Sequence, residues 1–303
     1  MQNNKREIFM VKNKVLFALL LVLAFSIVGA GVSLVFSRFI KFNDIESVET
    51  IAPGKGVSQQ GSSAKPTKGI FAFNPPSPQD APKDIKDAVL LGYNITINTQ
   101  KYAAKYVGNK LTCGNCHFKG GMTEGGKNGG LSLVGVGAAY PKFRKRQNYS
   151  VDLASRTNDC FERSMNGSPL PADSKEMMAM VTYYQWISKG LPIYADIPWL
   201  GVKHLKSAYK PDTAKGKQVF AQKCANCHGD NGQGTLAAPP LWGKDSFNDG
   251  AGMAKLDNFS AFAHFNMPLG NPDLSVEDAL DVALFVTTGA RSHYTEKNRQ
   301  GDS

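Results

Sequence analysis

The pattern Cys-x-x-Cys-His occurs twice in this chain of 303 residues and limits its fold more than any other feature. It reads CGNCH at residues 113–117 and CANCH at residues 224–228. This is the attachment signature of c-type haem, in which two cysteine sulfurs bond to the porphyrin edge and the next histidine binds the iron. We therefore predict two covalently bound haem c groups. Their attachment residues are Cys113, Cys116, Cys224 and Cys227, and their proximal iron ligands are His117 and His228.

Zinc binding and disulfide formation are the alternative roles for paired cysteines. Zinc sites built from two such pairs usually place them about 15–20 residues apart, and these two pairs are much farther apart. Neither zinc nor a disulfide explains why a histidine follows each pair directly. Haem attachment accounts for every fixed residue of both motifs, so it is the better interpretation.

Helical patterns surround both motifs. The segments DAVLLGYNITINTQKYAAKYV and DTAKGKQVFAQK predict a helix that leads into the first and the second motif. Closing helices are predicted in DSKEMMAMVTYYQWISKG, which stops at Gly190, and in SVEDALDVALFVTTG, which runs from Ser275 to Gly289. The sequence offers no convincing series of alternating strands. The predicted fold class is mainly α, with two cytochrome c-type haem domains in tandem, at residues 85–200 and 201–303.

The N-terminal segment predicts a membrane anchor. Residues 15–36 form an uncharged apolar run that is long enough to cross the hydrocarbon core as a helix. Lysines and an arginine precede it, so residues 1–14 are predicted to be cytoplasmic and the rest of the chain to lie outside. The alternative is a signal peptide that is cut near Ala30. The expected location is the periplasmic side of the bacterial cytoplasmic membrane, or the periplasm if the segment is cleaved.

Residues 37–84 are predicted to be a flexible linker, because Gly, Ser and Pro recur there and periodic hydrophobic residues are rare. Part of this linker could be pinned to the surface of the globular region. The formal net charge of +10 at pH 7 favours anionic partners. Since the sequence contains no nucleic-acid-binding module, we expect no nucleic acid among them.

The second domain resembles a class I cytochrome c domain through GKQVFAQKCANCHGDNGQGTLAAPPLWG, MPLG and VEDALDVALFV. Its predicted sixth iron ligand is Met267, in HFNMPLGNPD, because a methionine sulfur raises the reduction potential relative to stronger donors. His264 and Met253 are the alternatives. The segment APPLWG is expected to pack against the haem edge.

Cys160 is the one cysteine outside the two motifs. It lies among polar residues in RTNDCFER, and the first domain lacks a Met-Pro loop like that of the second. Several methionines of the first domain are nevertheless available as ligands, namely Met122, Met165, Met177, Met178 and Met180. A thiolate ligand to the first iron is therefore one candidate role, in which Cys160 would lower the potential of that haem. A buried inert thiol and an intermolecular disulfide are the alternatives.

The chain from about residue 85 to residue 290 resembles the dihaem thiosulfate dehydrogenases. The specific part of the resemblance is YPKFRKRQNYSVDLASRTNDCFERSMNGSPLP, between CGNCH and CANCHG. In that family a histidine and a cysteine bind the iron of the active-site haem, and these roles fall here on His117 and Cys160. Some members carry lysine immediately before the methionine ligand. Asn266 stands at that position here, which leaves Met267 as the ligand.

The resemblance also implies a set of candidate catalytic residues, namely Cys160, Arg146, Arg156 and Ser164. Thiosulfate and tetrathionate are dianions, and the forked donors of arginine suit such substrates. The alternative for the run KFRKR, which contains Arg146, is a solvated basic patch. Arg163 is interpreted as a surface residue or a partner of a haem propionate.

The implied function is the oxidation of two thiosulfate ions to tetrathionate, or the reverse reduction. Electrons would pass singly from the Cys160-ligated haem to the Met267-ligated haem and on to a cytochrome or another redox partner. The alternative is a membrane-anchored dihaem cytochrome c that acts only as an electron carrier. A cytochrome that passes sulfur to a carrier protein and a subunit of a larger dehydrogenase are further alternatives.

Overall fold

The computed structural model describes residues 71–295, which are mainly helical, as predicted. In the first domain the helices are α1 Lys86–Ile97, α2 Thr99–Tyr102, α3 Val136–Ala139, α4 Leu153–Arg163 and α5 Lys175–Ile187. The strands β1 Lys142–Arg144 and β2 Tyr149–Val151 pair antiparallel. Short 3-10 turns lie at Pro78–Asp80, Ala104–Tyr106, Cys113–Asn115 and Phe118–Gly121.

The second domain contains four of the helices described in residues 71–295. They are α6 Thr213–Lys223, α7 Ala225–His228, α8 Leu256–Asn266 and α9 Val276–Thr287, with a 3-10 turn at Gly252–Ala254. The predicted start of the closing helix is confirmed, since the Ser275 hydroxyl accepts a hydrogen bond from the Asp278 amide at 2.9 Å. Both closing helices end slightly before the glycines predicted to stop them.

In each domain the leading helix crosses the closing helix at a glycine. A β-carbon at Gly92 in α1 would lie 2.2 Å from the carbonyl oxygen of Ala179 in α5. A β-carbon at Gly216 in α6 would lie 2.0 Å from the carbonyl oxygen of Asp281 in α9. Because a side chain fits at neither crossing, the helix backbones approach closely in both domains. The two domains thus repeat one packing arrangement.

Each domain also has its own apolar core. The first core includes the fully buried side chains of Val89, Ile95, Phe161, Met177 and Tyr183. The second includes those of Phe220, Ala279, Val282 and Val286. Cys113 belongs to the first core, whereas Cys224 packs against the second. The two cysteine pairs therefore lie in different domains and do not converge on one zinc site.

The end of the predicted linker is packed against the first domain. Phe73 contacts Trp199 edge to face, with 5.2 Å between the ring centroids. The Trp186 indole donates a hydrogen bond to the Ser77 carbonyl at 3.0 Å. Residues 71–84 are therefore part of the globular structure, and the rest of the predicted linker lies outside the described residues.

No helix within residues 71–295 is long and apolar enough to cross a membrane. The predicted anchor at 15–36 and the segment 1–14 before it lie outside the described residues.

The two domains join along a seam of hydrogen bonds. The Asn109 side chain donates to the carbonyl oxygens of Ser164 and Ser246, both at 2.9 Å. The Asn248 side chain donates to the Glu162 carbonyl at 2.8 Å. These amides hold the end of α4 against the second domain, so both domains fix the position of this helix.

Candidate active site

Helix α4 presents Cys160 and two polar neighbours on one face. The Asp152 carboxylate caps the helix, because it accepts a hydrogen bond from a first-turn backbone amide at 2.7 Å. Phe161 anchors the helix in the first core. Arg156 and Ser164 lie one helical turn before and after Cys160, on the same face, as predicted. Arginine, thiol and hydroxyl therefore face one region of the molecule.

Arg156 and Cys160 are in direct contact. The Arg156 Nη1 donates to the Cys160 Sγ at 2.9 Å. The charge of that sulfur raises the pKa of Arg156, so the guanidinium stays protonated. Burial raises the pKa of Cys113 and Cys116 to about 12, and the charge of the nearby Cys160 sulfur acts in the same direction. Cys160 therefore lies close to both cysteines of the first haem motif.

His117 is held in the orientation that an iron ligand needs. Its Nδ1 hydrogen-bonds to the Leu131 carbonyl oxygen at 2.8 Å, which fixes the ring and leaves Nε2 for a metal. Burial lowers the pKa of His117 to about 4, so the imidazole is neutral at pH 7. The neutral imidazole is the form that binds metal ions.

Arg146 lies in the turn between β1 and β2. It is exposed, and its Nη1 donates to the Gly250 carbonyl oxygen of the second domain at 3.0 Å. Partial desolvation of the guanidinium lowers its pKa, and the positive charges of Arg163, Arg144 and Arg156 add to this effect. Arg146 therefore lies within electrostatic reach of Arg156, and the hairpin adds a second guanidinium to this side of the molecule.

Arg163 is buried, so its interpretation as a surface residue is wrong. Its Nε lies 3.7 Å from the Asp159 carboxylate, and its guanidinium stacks 3.9 Å from the centroid of the Tyr294 ring. An ion pair and an aromatic ring together compensate the burial of this charge. Arg163 links α4 to the C-terminal segment of the second domain.

In the second domain, His228 is oriented in the same way as His117. Its Nδ1 hydrogen-bonds to the Pro239 carbonyl oxygen in APPLWG at 2.8 Å, and burial lowers the pKa of His228. Met267 follows α8 directly, and both it and Met253 pack against the second core. His264 uses its Nδ1 for the Leu274 carbonyl oxygen at 2.9 Å.

The described residues fit haem c in both domains. All five cysteines are free thiols in the described part of the chain, so both pairs are available for attachment. Each motif ends in a histidine with one ring nitrogen held by a carbonyl and the other left for iron. In the first domain a further sulfur donor, Cys160, lies near the motif.

If Met267 is the sixth iron ligand, as predicted from the sequence, Met267→Ala should lower the reduction potential of the haem in the second domain and remove the methionine–iron charge-transfer band. A thioether ligand raises the potential, and its loss leaves water or a stronger donor on the iron. Redox titration followed by absorption spectroscopy measures both changes. Met253→Ala is the matched control, because Met253 packs against the same core. If Met253→Ala or His264→Gln causes these changes and Met267→Ala does not, the ligand assignment is wrong.

Comparisons with known proteins cover both domains. Residues 99–193 match the family described as "SoxA/TsdA, cytochrome c domain", and residues 213–290 match "Cytochrome c". A thiosulfate dehydrogenase of Stutzerimonas stutzeri (strain A1501) is 39% identical over 281 residues, which are 90% of this chain and 85% of that protein. One from Thiomonas intermedia (strain K12) is 37% identical over 227 residues, 72% of this chain and 71% of that protein. The chain belongs to the thiosulfate dehydrogenase family.

A solved structure supports this membership. Thiosulfate dehydrogenase (TsdBA) from Marichromatium purpuratum, in its "as isolated" form, superposes with a TM-score of 0.68 at 30% identity. The match covers 76% of this chain and 51% of that one, so this chain spans about half the length of its solved relative. The two cytochrome c domains of the family imply that this chain binds haem c.

Several groups that shape the site were not identified from the sequence. The Tyr140 hydroxyl accepts a hydrogen bond from Arg144 at 2.8 Å and lies near Arg156, whose pKa it helps to raise. The Leu131 and Pro239 carbonyl oxygens orient the two histidines. The predicted packing of APPLWG against the haem edge indicates only the region of Pro239. No pattern in the sequence indicates Tyr140 or Leu131.

Proposed function

We propose that this chain is a dihaem cytochrome c that oxidises two thiosulfate ions to tetrathionate or catalyses the reverse reduction. The observation that carries the proposal is the 2.9 Å contact between Arg156 and Cys160, close to the first haem motif. A cytochrome that only carries electrons needs no arginine-paired thiol there. Membership of the family supports the proposal, since its relatives from Stutzerimonas stutzeri and Thiomonas intermedia are thiosulfate dehydrogenases.

In this proposal the arginines bind the substrates. Two thiosulfate dianions repel each other, and their outer sulfurs must meet to form the central sulfur–sulfur bond of tetrathionate. Arg156 and Arg146 offset this repulsion, because a guanidinium stays charged at any physiological pH and offers several donors to an anion. Ser164, on the same face of α4, supplies a neutral hydroxyl donor. Cys160 supplies the sulfur next to which the new bond forms.

Two covalently bound haem c groups complete the proposed enzyme. Cys113, Cys116 and His117 would hold the first, with Cys160 as its sixth ligand. The second would be held by Cys224, Cys227 and His228, with Met267 as its sixth ligand. When bound, the groups supply one-electron acceptors, so that the two electrons released per tetrathionate leave singly, from the first domain to the second and then to a redox partner.

The proposed location is the periplasmic side of the cytoplasmic membrane. The apolar run at 15–36 and the positive charges before it support an N-terminal anchor. Fractionation of producing cells tests this: recovery in the soluble periplasmic fraction, with a mature N-terminus near residue 30, would contradict the anchor.

Turnover assays on the full-length protein with both haem groups test the proposed function. We expect reduction of ferricyanide with thiosulfate as the donor, and tetrathionate-dependent oxidation of reduced methyl viologen. A monohaem cytochrome c of known electron-carrier function is the control and should show neither activity. Absence of turnover in both directions would contradict the proposal and favour the electron-carrier alternative.

A further inference from the structure

A loop of the first domain and the end of α8 in the second domain form a clasp, defined here as residues 126–131 and 262–270. The Asn128 amide donates to the Phe265 carbonyl oxygen at 2.9 Å, and the Gly270 amide donates to the Asn128 side chain at 3.2 Å. Close by, the rings of Phe118 and Phe262 meet edge to face at 5.9 Å. The loop is therefore held against α8 at several points.

Asn266 is the buried centre of this clasp. Its side-chain oxygen accepts a hydrogen bond from the Gly130 amide at 2.7 Å, and its Nδ2 donates to the Phe262 carbonyl oxygen at 3.0 Å. The residue is 2% exposed, so neither bond competes with bulk water. The bond to Phe262 lies within α8 and fixes the side chain, while the bond to Gly130 crosses between the domains.

One end of the Gly130–Asn266 hydrogen bond adjoins the proposed iron ligand Met267, and the other adjoins Leu131, which orients the proposed ligand His117. Leu131 follows Gly130, and its carbonyl oxygen orients His117 at 2.8 Å. Its amide also donates to the Cys116 carbonyl oxygen at 2.9 Å, within the first haem motif. Met267 follows Asn266 on the other side. One hydrogen bond thus joins the segment that orients His117 to the residue before Met267.

We propose that Asn266 is a positioning residue that couples the proximal ligand of the first haem to the distal ligand of the second. The inference rests on the ligand roles of His117 and Met267 in the proposed function. The hydrogen bond between a ligand and its supporting carbonyl, here His117 and Leu131, sets the orientation and basicity of the ligand, and such outer contacts tune metal sites. A substitution at Asn266 is therefore expected to alter the orientation of His117 in the first domain, through Gly130 and Leu131.

The test is Asn266→Leu, which keeps a similar side-chain size and removes the acceptor for the Gly130 amide. In the protein with both haem groups, we expect a changed electron paramagnetic resonance signal of the first ferric haem. Electron equilibration between the two groups, measured after flash reduction, should slow by about tenfold. Neither measurement uses thiosulfate, so their outcome is independent of whether the protein turns over that substrate.

Two controls separate coupling from loss of stability. Asn258→Ala removes an amide from the same helix, where its side chain contacts only the Gly252 carbonyl oxygen among the hydrogen bonds described. Lys110→Ala removes the 2.8 Å ion pair with Asp245, which joins the domains through residues outside the clasp. Both controls should keep the signal and the rate of the wild type. An unchanged first-haem signal and rate in Asn266→Leu, or equal changes in the controls, would overturn the proposal.

A measurement on the unaltered protein covers the case in which Asn266→Leu does not fold with two haem groups. If the clasp couples the sites, hydrogen exchange in residues 126–133 should change when the second haem alone is reduced. Unchanged exchange in this loop would overturn the proposal without any variant.

Discussion

Cys160→Gly is expected to abolish thiosulfate turnover, with a loss of at least about a thousandfold, while both haem groups stay attached. Attachment depends on the two Cys-x-x-Cys-His motifs, which the substitution leaves intact. In the proposed mechanism, turnover depends on the sulfur that Arg156 contacts at 2.9 Å. Pyridine haemochrome analysis counts the attached groups, and the ferricyanide assay measures turnover. The low-spin ferric spectrum of the first haem should also lose the features of a thiolate ligand.

The control for this variant is Ser155→Gly. Glycine within a helix costs up to about 1 kcal/mol of stability, so both variants weaken α4 by a similar amount. The Ser155 hydroxyl contacts only the Asp152 carboxylate among the hydrogen bonds described, at the start of the helix. Ser155→Gly should therefore retain turnover. Activity that persists in Cys160→Gly would remove Cys160 from the mechanism, whatever the spectrum shows.

The sequence predicted those features that depend on short stretches of chain. The helix caps and the apolar periodicities of α6 and α9 depend on residues that are close in sequence. The positions of these two helices could therefore be predicted closely. The contact between Arg156 and Cys160 was also within reach, because residues four apart in a helix share a face. The resemblance added the expectation that Arg146 lies at the same site.

Contacts between distant segments could not be predicted in this way. The bonds from Arg146 to Gly250 and from Gly130 to Asn266 depend on how the two domains dock, and no local pattern encodes that docking. Arg163 shows the same limit. Of its two interpretations, surface residue or partner of a haem propionate, the first is wrong, because Tyr294, far along the chain, covers it. The structure therefore shows that residues of the second domain, such as Gly250 and Tyr294, contact arginines of a site that the sequence assigns to the first domain alone.

Arg156→Gln is expected to lower kcat/KM for thiosulfate by about a hundredfold, since it removes a charge-assisted hydrogen bond to the dianion, worth about 3 kcal/mol. In the proposed mechanism the guanidinium has two tasks: one donor contacts the Cys160 sulfur, and the remaining donors bind the anions. Arg156→Lys keeps the charge and loses the fork, so its kcat/KM should lie between those of Arg156→Gln and the wild type. Steady-state assays over a range of thiosulfate concentrations separate the effects on kcat and KM.

Arg144→Gln is the matched control for charge. It removes one guanidinium from the same region, because Arg144 also lowers the pKa of Arg146, but its Nη1 contacts the Tyr140 hydroxyl instead of the sulfur. If Arg156 acts through its contact with Cys160, Arg156→Gln should reduce kcat as well as raise KM, and Arg144→Gln should mainly raise KM. Equal effects of the two variants on both constants would show that the region attracts anions by its overall charge, and that the contact with sulfur adds nothing to catalysis.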